Sequence, residues 1–309
     1  MAILFYSELD DPTDWKNAFN TIAESIPFYI WPNQPDNEEV EIAVVWKPTS
    51  GILKLFPNLK LIASLGAGVD HLFYGAEIPK GIPITRIVDE TLTEQMVEYI
   101  LMATLFCHRN MPIYISQQHK KQWQPVRQPL GRNRIIGIMG LGVLGSAVAK
   151  ALRNLNFNIR GWSTSQKNLE GIQAYTGNDE LKEFLTEIDI LISLLPLTPK
   201  TENIINADLL SCLPHGSTFI NGGRGAQVVE SDLIRALDKG YISHAFLDVT
   251  REEPLPKKSE LWLHPSVTLT PHVASITDAF SSSKQIINNY TRIKNGLEPI
   301  NLVNYLAGY

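Results

Sequence analysis

The chain has 309 residues, of which 44% are hydrophobic and 19% charged, and its formal net charge at pH 7 is −5. This length and balance predict a soluble protein with two hydrophobic cores rather than one. No long basic run indicates a nucleic-acid partner, and no apolar stretch is long enough to cross a membrane. We therefore expect a small-molecule ligand.

The two cysteines, Cys107 and Cys212, are far apart in the chain, and neither belongs to a C-x-x-C pair. A disulfide framework and a structural zinc site are therefore not expected, and no histidine spacing predicts another metal site. The first residues, MAILFYSELDDPTDW, favour a strand over a signal peptide because they lack a basic leader. We expect a reducing compartment, the cytoplasm.

Short apolar runs separated by polar stretches open the chain, as is typical of strands alternating with helices in a parallel sheet. These runs cover residues 3–6, 42–46, 61–64 and 84–88. A long helix is predicted next over 91–108, with Thr91 and Glu94 as a capping box and Pro112 soon after its end.

The polar, basic stretch 119–134 predicts an extended loop before a second unit. Its Trp123 has no local core, so the ring either packs on its own chain or contacts a partner subunit. The second unit begins at Arg134 with strand, glycine turn, helix and strand, and later strands are predicted at 188–194, 218–221, 245–249 and 267–270. A last helix over 278–294 leads back to the first unit, so the chain crosses between units twice and leaves a cleft, where ligand sites tend to lie.

The segment IIGIMGLGVLGSAVAK holds Gly140, Gly142 and Gly145 as G-x-G-x-x-G between a strand pattern and a helix pattern. The first glycine permits a tight turn, the second admits a pyrophosphate, and the third lets helix and strand pack closely. The helix start at Val143 and Leu144 would face the phosphates. A purely structural turn explains one glycine but not three, so we predict dinucleotide binding.

Five segments in this order resemble the D-isomer-specific 2-hydroxyacid dehydrogenases, most closely the glyoxylate/hydroxypyruvate reductase A type. They are SLGAGVDH, the glycine turn, NGGRG, LDVTREEPLP and PHVAS. The resemblance implies an α/β fold with two doubly wound parallel-sheet domains, in which a flavodoxin-like substrate domain (1–98 and 283–309) and a Rossmann cofactor domain (99–282) flank the cleft. It also implies NADP as cofactor, with NAD possible, a small 2-oxoacid substrate and a homodimer.

The resemblance implies three catalytic residues, and each suits its task chemically. Arg224 has a planar fork that matches the substrate carboxylate. His272 would donate a proton to the carbonyl oxygen, and Glu253 would orient His272 and favour its charged form. Glu252 is the competitor, but the spacing to Asp248 and Pro254 selects Glu253.

The substrate and cofactor residues follow from the same segments. Backbone N–H groups of Gly66, Ala67, Gly68 and Val69 offer a cradle for a carboxylate, although the glycines alone fit an ordinary strand-to-helix turn. Trp46 borders the substrate in the resembled branch, and a core tryptophan is the alternative. The further cofactor-binding positions that the resemblance implies are Leu195, Pro196, Gly222, Gly223, Asp248 and His272.

The segment GWSTSQK ends the second strand of the cofactor unit, where an NAD site would place an acid on the ribose hydroxyls. Ser163 stands there instead and removes the repulsion that an acid exerts on the extra phosphate of NADP. The hydroxyls of Ser163, Thr164 and Ser165 would donate hydrogen bonds to that phosphate, and Lys167 would add a positive charge. The branch often has arginine where Thr164 stands, and Arg160 is a candidate to compensate unless strand alternation points it away. A solvated turn is the alternative.

Two other functions stay open at this point. The same fold could reduce a larger 2-oxoacid such as phenylpyruvate or 2-oxoisocaproate, because sequence does not fix the pocket size. A dinucleotide-sensing corepressor is the candidate from another class. Formate oxidation is disfavoured because that branch has glutamine where Glu253 stands, and phosphoglycerate dehydrogenation because many such enzymes carry a further regulatory domain.

Overall fold

A computed structural model gives the fold and describes residues 1–305 except Leu9, Pro35, Tyr74 and Ala76. Residues 306–309 of the substrate domain assigned from the sequence lie outside the described residues. The chain divides into two compact units, Met1–Leu92 with Ile276–Tyr309, and Thr93–Ser275. No described helix is long and apolar enough to cross a membrane, and the described residues contain no cluster of potential metal ligands.

In chain order, the strands are β1 Ala2–Tyr6, β2 Phe28–Ile30, β3 Val40–Val45, β4 Leu61–Ser64, β5 Ile84–Thr85, β6 Ile135–Met139, β7 Asn158–Ser163, β8 Gln173–Thr176, β9 Ile190–Ser193, β10 Ser217–Asn221, β11 Ile242–Leu247 and β12 Val267–Leu269. The helices are α1 Pro12–Ala23, α2 Asp70–Phe73, α3 Glu90–His108, α4 Met111–His119, α5 Val143–Asn154, α6 Leu181–Leu185, α7 Ala207–Ser211, α8 Glu230–Asp238 and α9 Ala279–Lys294.

Each unit is built on one parallel sheet with a reversal in its strand order. The first sheet has the order β2-β1-β3-β4-β5, and the second has the order β12-β11-β10-β9-β6-β7-β8. The first is the flavodoxin-like order and the second extends the Rossmann order by one strand. In such sheets ligands bind at the carboxyl ends of the strands where the order reverses, which in the second unit is between β6 and β9.

Strand residues of the second sheet alternate between the two hydrophobic cores that cover its faces. On β9, Ile190 and Ile192 pack in the core that contains Val148 and Leu152 of α5, while Leu191 packs in the core on the other face. All of these side chains are buried. Apolar residues at every strand position are what a parallel sheet covered on both faces requires.

The start of α3 differs from the predicted capping box. The carboxylate of Asp89 accepts hydrogen bonds from the backbone N–H of Thr91, at 2.7 Å, and from its hydroxyl. The helix therefore begins at Glu90 and Thr91 lies inside it, because the nearby carboxylate is a stronger acceptor than the threonine hydroxyl. Pro112 lies in the first turn of α4, a position that suits proline because its missing N–H is not needed there.

The buried His244 on β11 makes the fold sensitive to acid. Its Nε2 lies 2.9 Å from the hydroxyl of Thr268, and burial, with a smaller effect of His264, lowers the pKa of His244 to about 4. In the unfolded chain the imidazole takes up its proton near its ordinary value of about 6.5. The contribution of the neutral His244 to the free energy of unfolding is therefore fully present above a pH of about 6.5. It is lost as the pH falls toward the folded-state pKa of about 4.

We expect His244→Gln to remove this acid sensitivity. Between about pH 7 and pH 4, the free energy of unfolding should fall by about 3 kcal/mol more in the wild type than in the variant. Urea denaturation at a series of pH values measures the difference. Parallel curves for the two proteins would contradict the assignment.

Candidate active site

The glycine turn connects β6 to α5 at the point where the strand order reverses. Gly140 has φ of +102°, and its N–H donates to the carbonyl of Trp162. A Cβ on Gly145 would lie 1.8 Å from the carbonyl oxygen of Gly140, so the helix could not start this close to the strand with any other residue. Next to Gly142, by contrast, no described residue other than its own neighbours in the chain has an atom within 4 Å of the Cβ position.

This open side of the turn has the features of a pyrophosphate site. The helix α5 begins directly at Val143, with Gly142 at its N-cap, and Val143 is exposed. The backbone N–H groups and the positive end of the helix dipole are therefore available to an anion beside Gly142. The residues fit the phosphates of a dinucleotide.

The loop after β9 lies against the glycine turn. The N–H of Leu194 donates to the carbonyl of Met139, and a Cβ on Gly140 would lie 2.7 Å from the carbonyl oxygen of Leu194. Leu195 is buried, and the carbonyl of Pro196 accepts a hydrogen bond from the hydroxyl of Thr201 at 2.6 Å. The structure thus brings Leu195 and Pro196 beside the predicted phosphate turn.

At the end of β7, Ser163 is buried and donates its hydroxyl proton to the carbonyl of Ser165 at 2.7 Å. Thr164, Ser165 and Lys167 are exposed. Arg160 does not compensate for the missing arginine, because its guanidinium donates to the carbonyl of Thr186 at 2.6 Å and to the carboxylate of Glu187 at 2.5 Å. Because the hydroxyl of Ser163 is already donated, it is not the phosphate donor that the sequence suggested, and the candidate phosphate-binding groups of this turn are two hydroxyls, of Thr164 and Ser165, and the ammonium of Lys167.

Arg224 follows β10 in a turn that hydrogen bonds hold on both sides. The side chain of Asn221 donates to the carbonyl of Arg224 and accepts from the N–H of Gly223. The guanidinium is half-buried and donates to the carbonyl of Gly223 at 3.0 Å. A Cβ on the next residue, Gly225, would lie 1.9 Å from the carbonyl of Thr250. Gly225 thus lets the Arg224 turn pack directly on the segment that carries Glu253.

His272 and Glu253 form an ion-pair geometry, with Nδ1 of the imidazole 2.9 Å from Oε2 of the carboxylate. The N–H of Thr250 donates to the other carboxylate oxygen of Glu253 at 3.2 Å. The side chains of His272 and Glu253 are 31% and 23% exposed, so a small molecule can reach the imidazole. This carboxylate-oriented imidazole with an accessible second nitrogen is the arrangement of a general acid.

Asp248 holds the backbone that carries His272. Its buried carboxylate accepts hydrogen bonds from the N–H groups of Val273 and Ala274, each at 2.9 Å, and from the hydroxyl of Thr270. Its carbonyl accepts the N–H of His272, which has a positive φ of 57°. The carboxylate therefore braces the left-handed turn at His272, a role that the family motif alone did not predict.

Tyr99 of α3 extends this network and was not found from the sequence. Since the Thr270 hydroxyl donates to Asp248, the Tyr99 hydroxyl donates to Thr270. Burial, with a smaller contribution from Asp248, raises the pKa of Tyr99, which keeps the phenol protonated as a donor. Tyr99 lies in a helix pattern where aromatic core residues are common, so no sequence signal distinguishes it.

The first unit contains its own set of predicted residues around the end of β4. The hydroxyl of Ser64 donates to the carbonyl of Gly68, and the imidazole of His71 lies 3.0 Å from that hydroxyl. The rings of Trp46 and His71 are in contact, with centroids 4.2 Å apart and planes tilted by 44°, and a Cβ on Gly66 would lie 2.9 Å from the Trp46 ring. The structure thus brings Trp46 and the loop 66–69 together.

Comparison with known proteins identifies the family. The family model for the NAD-binding domain of D-isomer specific 2-hydroxyacid dehydrogenases matches residues 101–274. The glyoxylate/hydroxypyruvate reductases A of Serratia proteamaculans and Yersinia enterocolitica are 37% and 35% identical to this chain, over 100% of it and 100% of their own length. The chain belongs to the D-isomer specific 2-hydroxyacid dehydrogenase family. The family resemblance and the oxidoreductase class expected from the five sequence segments are therefore confirmed for this dehydrogenase.

Solved structures agree with this dehydrogenase over nearly its whole length. A D-isomer specific 2-hydroxyacid dehydrogenase from Xanthobacter autotrophicus Py2, solved with NADPH and MES, is 39% identical with a TM-score of 0.95, over 100% of this chain and 99% of that one. The NADPH-dependent glyoxylate/hydroxypyruvate reductase from Sinorhizobium meliloti, solved with NADP and sulfate, is 34% identical with a TM-score of 0.94, over 100% of both chains. The prediction of two parallel-sheet α/β domains is confirmed.

Proposed function

We propose that this dehydrogenase reduces small 2-oxoacids, glyoxylate and hydroxypyruvate first among them, to 2-hydroxyacids with NADPH. The observation that carries the proposal is the His272–Glu253 pair at 2.9 Å, which provides the proton donor that such a reduction needs. The reductase relatives that align over the whole chain indicate the substrate class. The test is turnover of each oxoacid by the pure protein with NADPH, followed by loss of absorbance from the nicotinamide.

The proposed mechanism combines one hydride and one proton at the substrate carbonyl. A bound NADPH supplies the hydride to the carbonyl carbon. His272 donates its proton from Nε2 to the carbonyl oxygen, which becomes the hydroxyl of the product, while Glu253 holds Nδ1 and stabilises the charged imidazole. Asp248 keeps the His272 turn in place through the N–H groups of Val273 and Ala274.

Two groups are proposed to bind the substrate carboxylate. In the second unit, Arg224 offers its planar guanidinium, which suits two carboxylate oxygens at once. In the first unit, the N–H of Gly66 already donates to Ser64, so the backbone N–H groups of residues 67–69 offer the cradle, and Trp46 borders it. The hydrogen bonds of Ser64 to Gly66 and Gly68 fix the conformation of that loop.

The nucleotide is proposed to bind to the second unit with its pyrophosphate at Gly140, Gly142, Gly145 and the start of α5. Leu195, Pro196, Gly222, Gly223, Asp248 and His272 complete the proposed contacts. At the end of β7, the exposed Thr164, Ser165 and Lys167 would bind the ribose phosphate of NADP beside Ser163. Because Arg160 is engaged by Glu187, we expect only a moderate preference for NADPH over NADH.

We expect Ser163→Asp to invert the cofactor preference. The new carboxylate would repel the ribose phosphate of NADP and accept hydrogen bonds from the free ribose hydroxyls of NAD. The ratio of kcat/KM for NADPH to that for NADH should fall by about tenfold or more, the effect of roughly one charge-assisted hydrogen bond. Ser163→Asn is the matched control, since it adds the same volume without charge. An unchanged ratio in the Asp variant would show that this turn does not contact the phosphate.

A homodimer is the proposed assembly, formed mainly by the second unit. Apolar side chains are exposed along α3, α4 and the following loop, namely Met102, Leu105, Met111, Ile113, Ile115, Trp123 and Leu130. A row of this kind is typical of a surface that another chain covers. Sedimentation at micromolar concentration should show about twice the single-chain mass of 34.6 kDa. A species of single-chain mass alone would remove the proposal.

We propose a cytoplasmic location because Cys107 and Cys212 are both free thiols, as is usual in a reducing compartment.

A reductase of larger 2-oxoacids would turn over phenylpyruvate with a higher kcat/KM than glyoxylate. A dinucleotide-sensing corepressor would bind NADPH without turning over either substrate. The accessible His272–Glu253 pair favours the enzyme.

A further inference from the structure

Gln227 is a buried amide next to Arg224 that the proposed mechanism does not use. It closes the short turn Gly225–Gln227 and is 0% exposed. Its Oε1 accepts the N–H of Arg224 and the hydroxyl of Ser193, each at 3.2 Å. Its Nε2 donates to the carbonyls of Leu195 at 2.8 Å and Pro196 at 3.1 Å. The amide thus uses both donors and both acceptor positions.

These four bonds fix the orientation of the amide. The carbonyl oxygens of Leu195 and Pro196 only accept hydrogen bonds, so the NH₂ group of the amide must face them. The N–H of Arg224 and the hydroxyl of Ser193 donate, so the amide oxygen faces these two groups. The bonds join the end of β9, which continues into Leu195 and Pro196, to the backbone of Arg224. They therefore tie the loop beside the glycine turn to the residue proposed to bind the substrate carboxylate.

An apolar side chain of similar size would leave the Arg224 N–H and the carbonyl of Leu195 without this partner, while the carbonyl of Pro196 would keep only the hydroxyl of Thr201. Leaving buried polar groups unpaired destabilises the folded state, so the turn would shift to satisfy them. Such a shift moves the guanidinium of Arg224, because the amide of Gln227 holds the N–H of Arg224 directly.

We propose that Gln227 is a positioning residue that sets the place of Arg224, and that it determines how tightly the 2-oxoacid carboxylate is bound. The inference rests on the proposed function of Arg224. It predicts that Gln227 variants lose more kcat/KM for the oxoacid than partial unfolding alone would cause. A displacement of about 1 Å in a substrate-positioning group can cost up to about a hundredfold in rate.

The experiment compares Gln227→Met and Gln227→Glu with the wild type. The Met variant should lose about tenfold or more in kcat/KM for glyoxylate at every pH. A glutamate at this place faces two carbonyl oxygens, so it supports the geometry only when protonated, and its burial favours that form. The Glu variant should therefore be more active than the Met variant at acidic pH and should approach it as the pH rises.

Asn289→Met is the matched control, because Asn289 of α9 is also fully buried and its amide bonds both backbone groups of Ile300, in the first unit. All variants should melt at lower temperature than the wild type. Only the Gln227 variants should lose kcat/KM for glyoxylate. A folded Gln227→Met protein with wild-type kcat/KM would overturn the inference and leave the amide a purely structural element.

A readout that does not depend on activity separates this inference from the proposed function. Wild-type protein that fails to turn over any 2-oxoacid contradicts the proposed function alone. In that case hydrogen exchange tests the role of Gln227. The Gln227→Met variant should exchange the backbone amides of residues 222–225 about tenfold or more faster than the wild type, while α8 keeps its protection. Unchanged exchange in residues 222–225 would overturn the inference.

Discussion

Replacing His272 by alanine is expected to lower kcat for glyoxylate reduction by about two to four orders of magnitude, the usual contribution of a positioned general acid. The imidazole is the accessible group in the second unit that a carboxylate orients through its other nitrogen. Because His272 is also a proposed nucleotide contact, the affinity for NADPH should fall as well, but by far less than kcat. Steady-state kinetics, with NADPH binding followed by fluorescence titration, measures both quantities.

Two further variants sharpen this test. His264→Ala removes another imidazole that faces a carboxylate, Asp238 at 3.3 Å, and should leave kcat nearly unchanged. Glu253→Gln keeps an acceptor for Nδ1 but removes the carboxylate charge. It should lower kcat by less than His272→Ala does, because the imidazole itself and its hydrogen bond remain. Equal activity of His272→Ala and the wild type would contradict the assigned proton donor.

The second large effect is expected for Arg224→Lys. Lysine keeps the positive charge but replaces the planar fork by a point charge, so one of two hydrogen bonds to the substrate carboxylate is lost. A charge-assisted hydrogen bond contributes about 1.5 to 3 kcal/mol, so kcat/KM for glyoxylate should fall by about tenfold or more. Saturation kinetics for the oxoacid at fixed NADPH measures the change.

Arg235→Lys provides the control for this substitution. Arg235 lies on α8 of the same unit, is exposed, and is paired with Asp232. Exposed ion pairs contribute little to stability, so this variant should keep wild-type kinetics. If Arg224→Lys also kept full kcat/KM, Arg224 would not bind the carboxylate, and the cradle in the first unit would be left as the proposed carboxylate site.

The central strands of both sheets and one edge strand of each, β5 and β12, could be predicted from the sequence, whereas the opposite edge strands, β2 and β8, could not. Residues 42–45 of β3, 61–63 of β4 and 190–192 of β9 are buried and appear as continuous apolar runs. The edge strand β2 has only three residues, all half-buried, and β8 has a single buried residue, Tyr175, so neither gives a long buried apolar run. Helix α3 begins at Glu90, one residue before the predicted start at Thr91, because the helix is capped by Asp89 and not by Thr91.

Some residues of the candidate site could also be predicted from the sequence, and others could not. The glycine turn could be predicted because the three glycines have different steric tasks at fixed spacing. The pairing of Glu253 with His272, 19 residues apart, followed from the family motif and not from any local pattern. Gln227 and Tyr99 gave no signal, since their roles arise only where separate loops and helices meet in the fold.

The central claim is that this chain is an NADPH-dependent reductase of small 2-oxoacids. The most direct test measures kcat/KM for glyoxylate with pure protein, once with saturating NADPH and once with saturating NADH. The structure of the β7 turn and the His272–Glu253 pair predict turnover with both cofactors and a higher kcat/KM with NADPH. Binding of NADPH without turnover, or a higher kcat/KM with NADH, would contradict it.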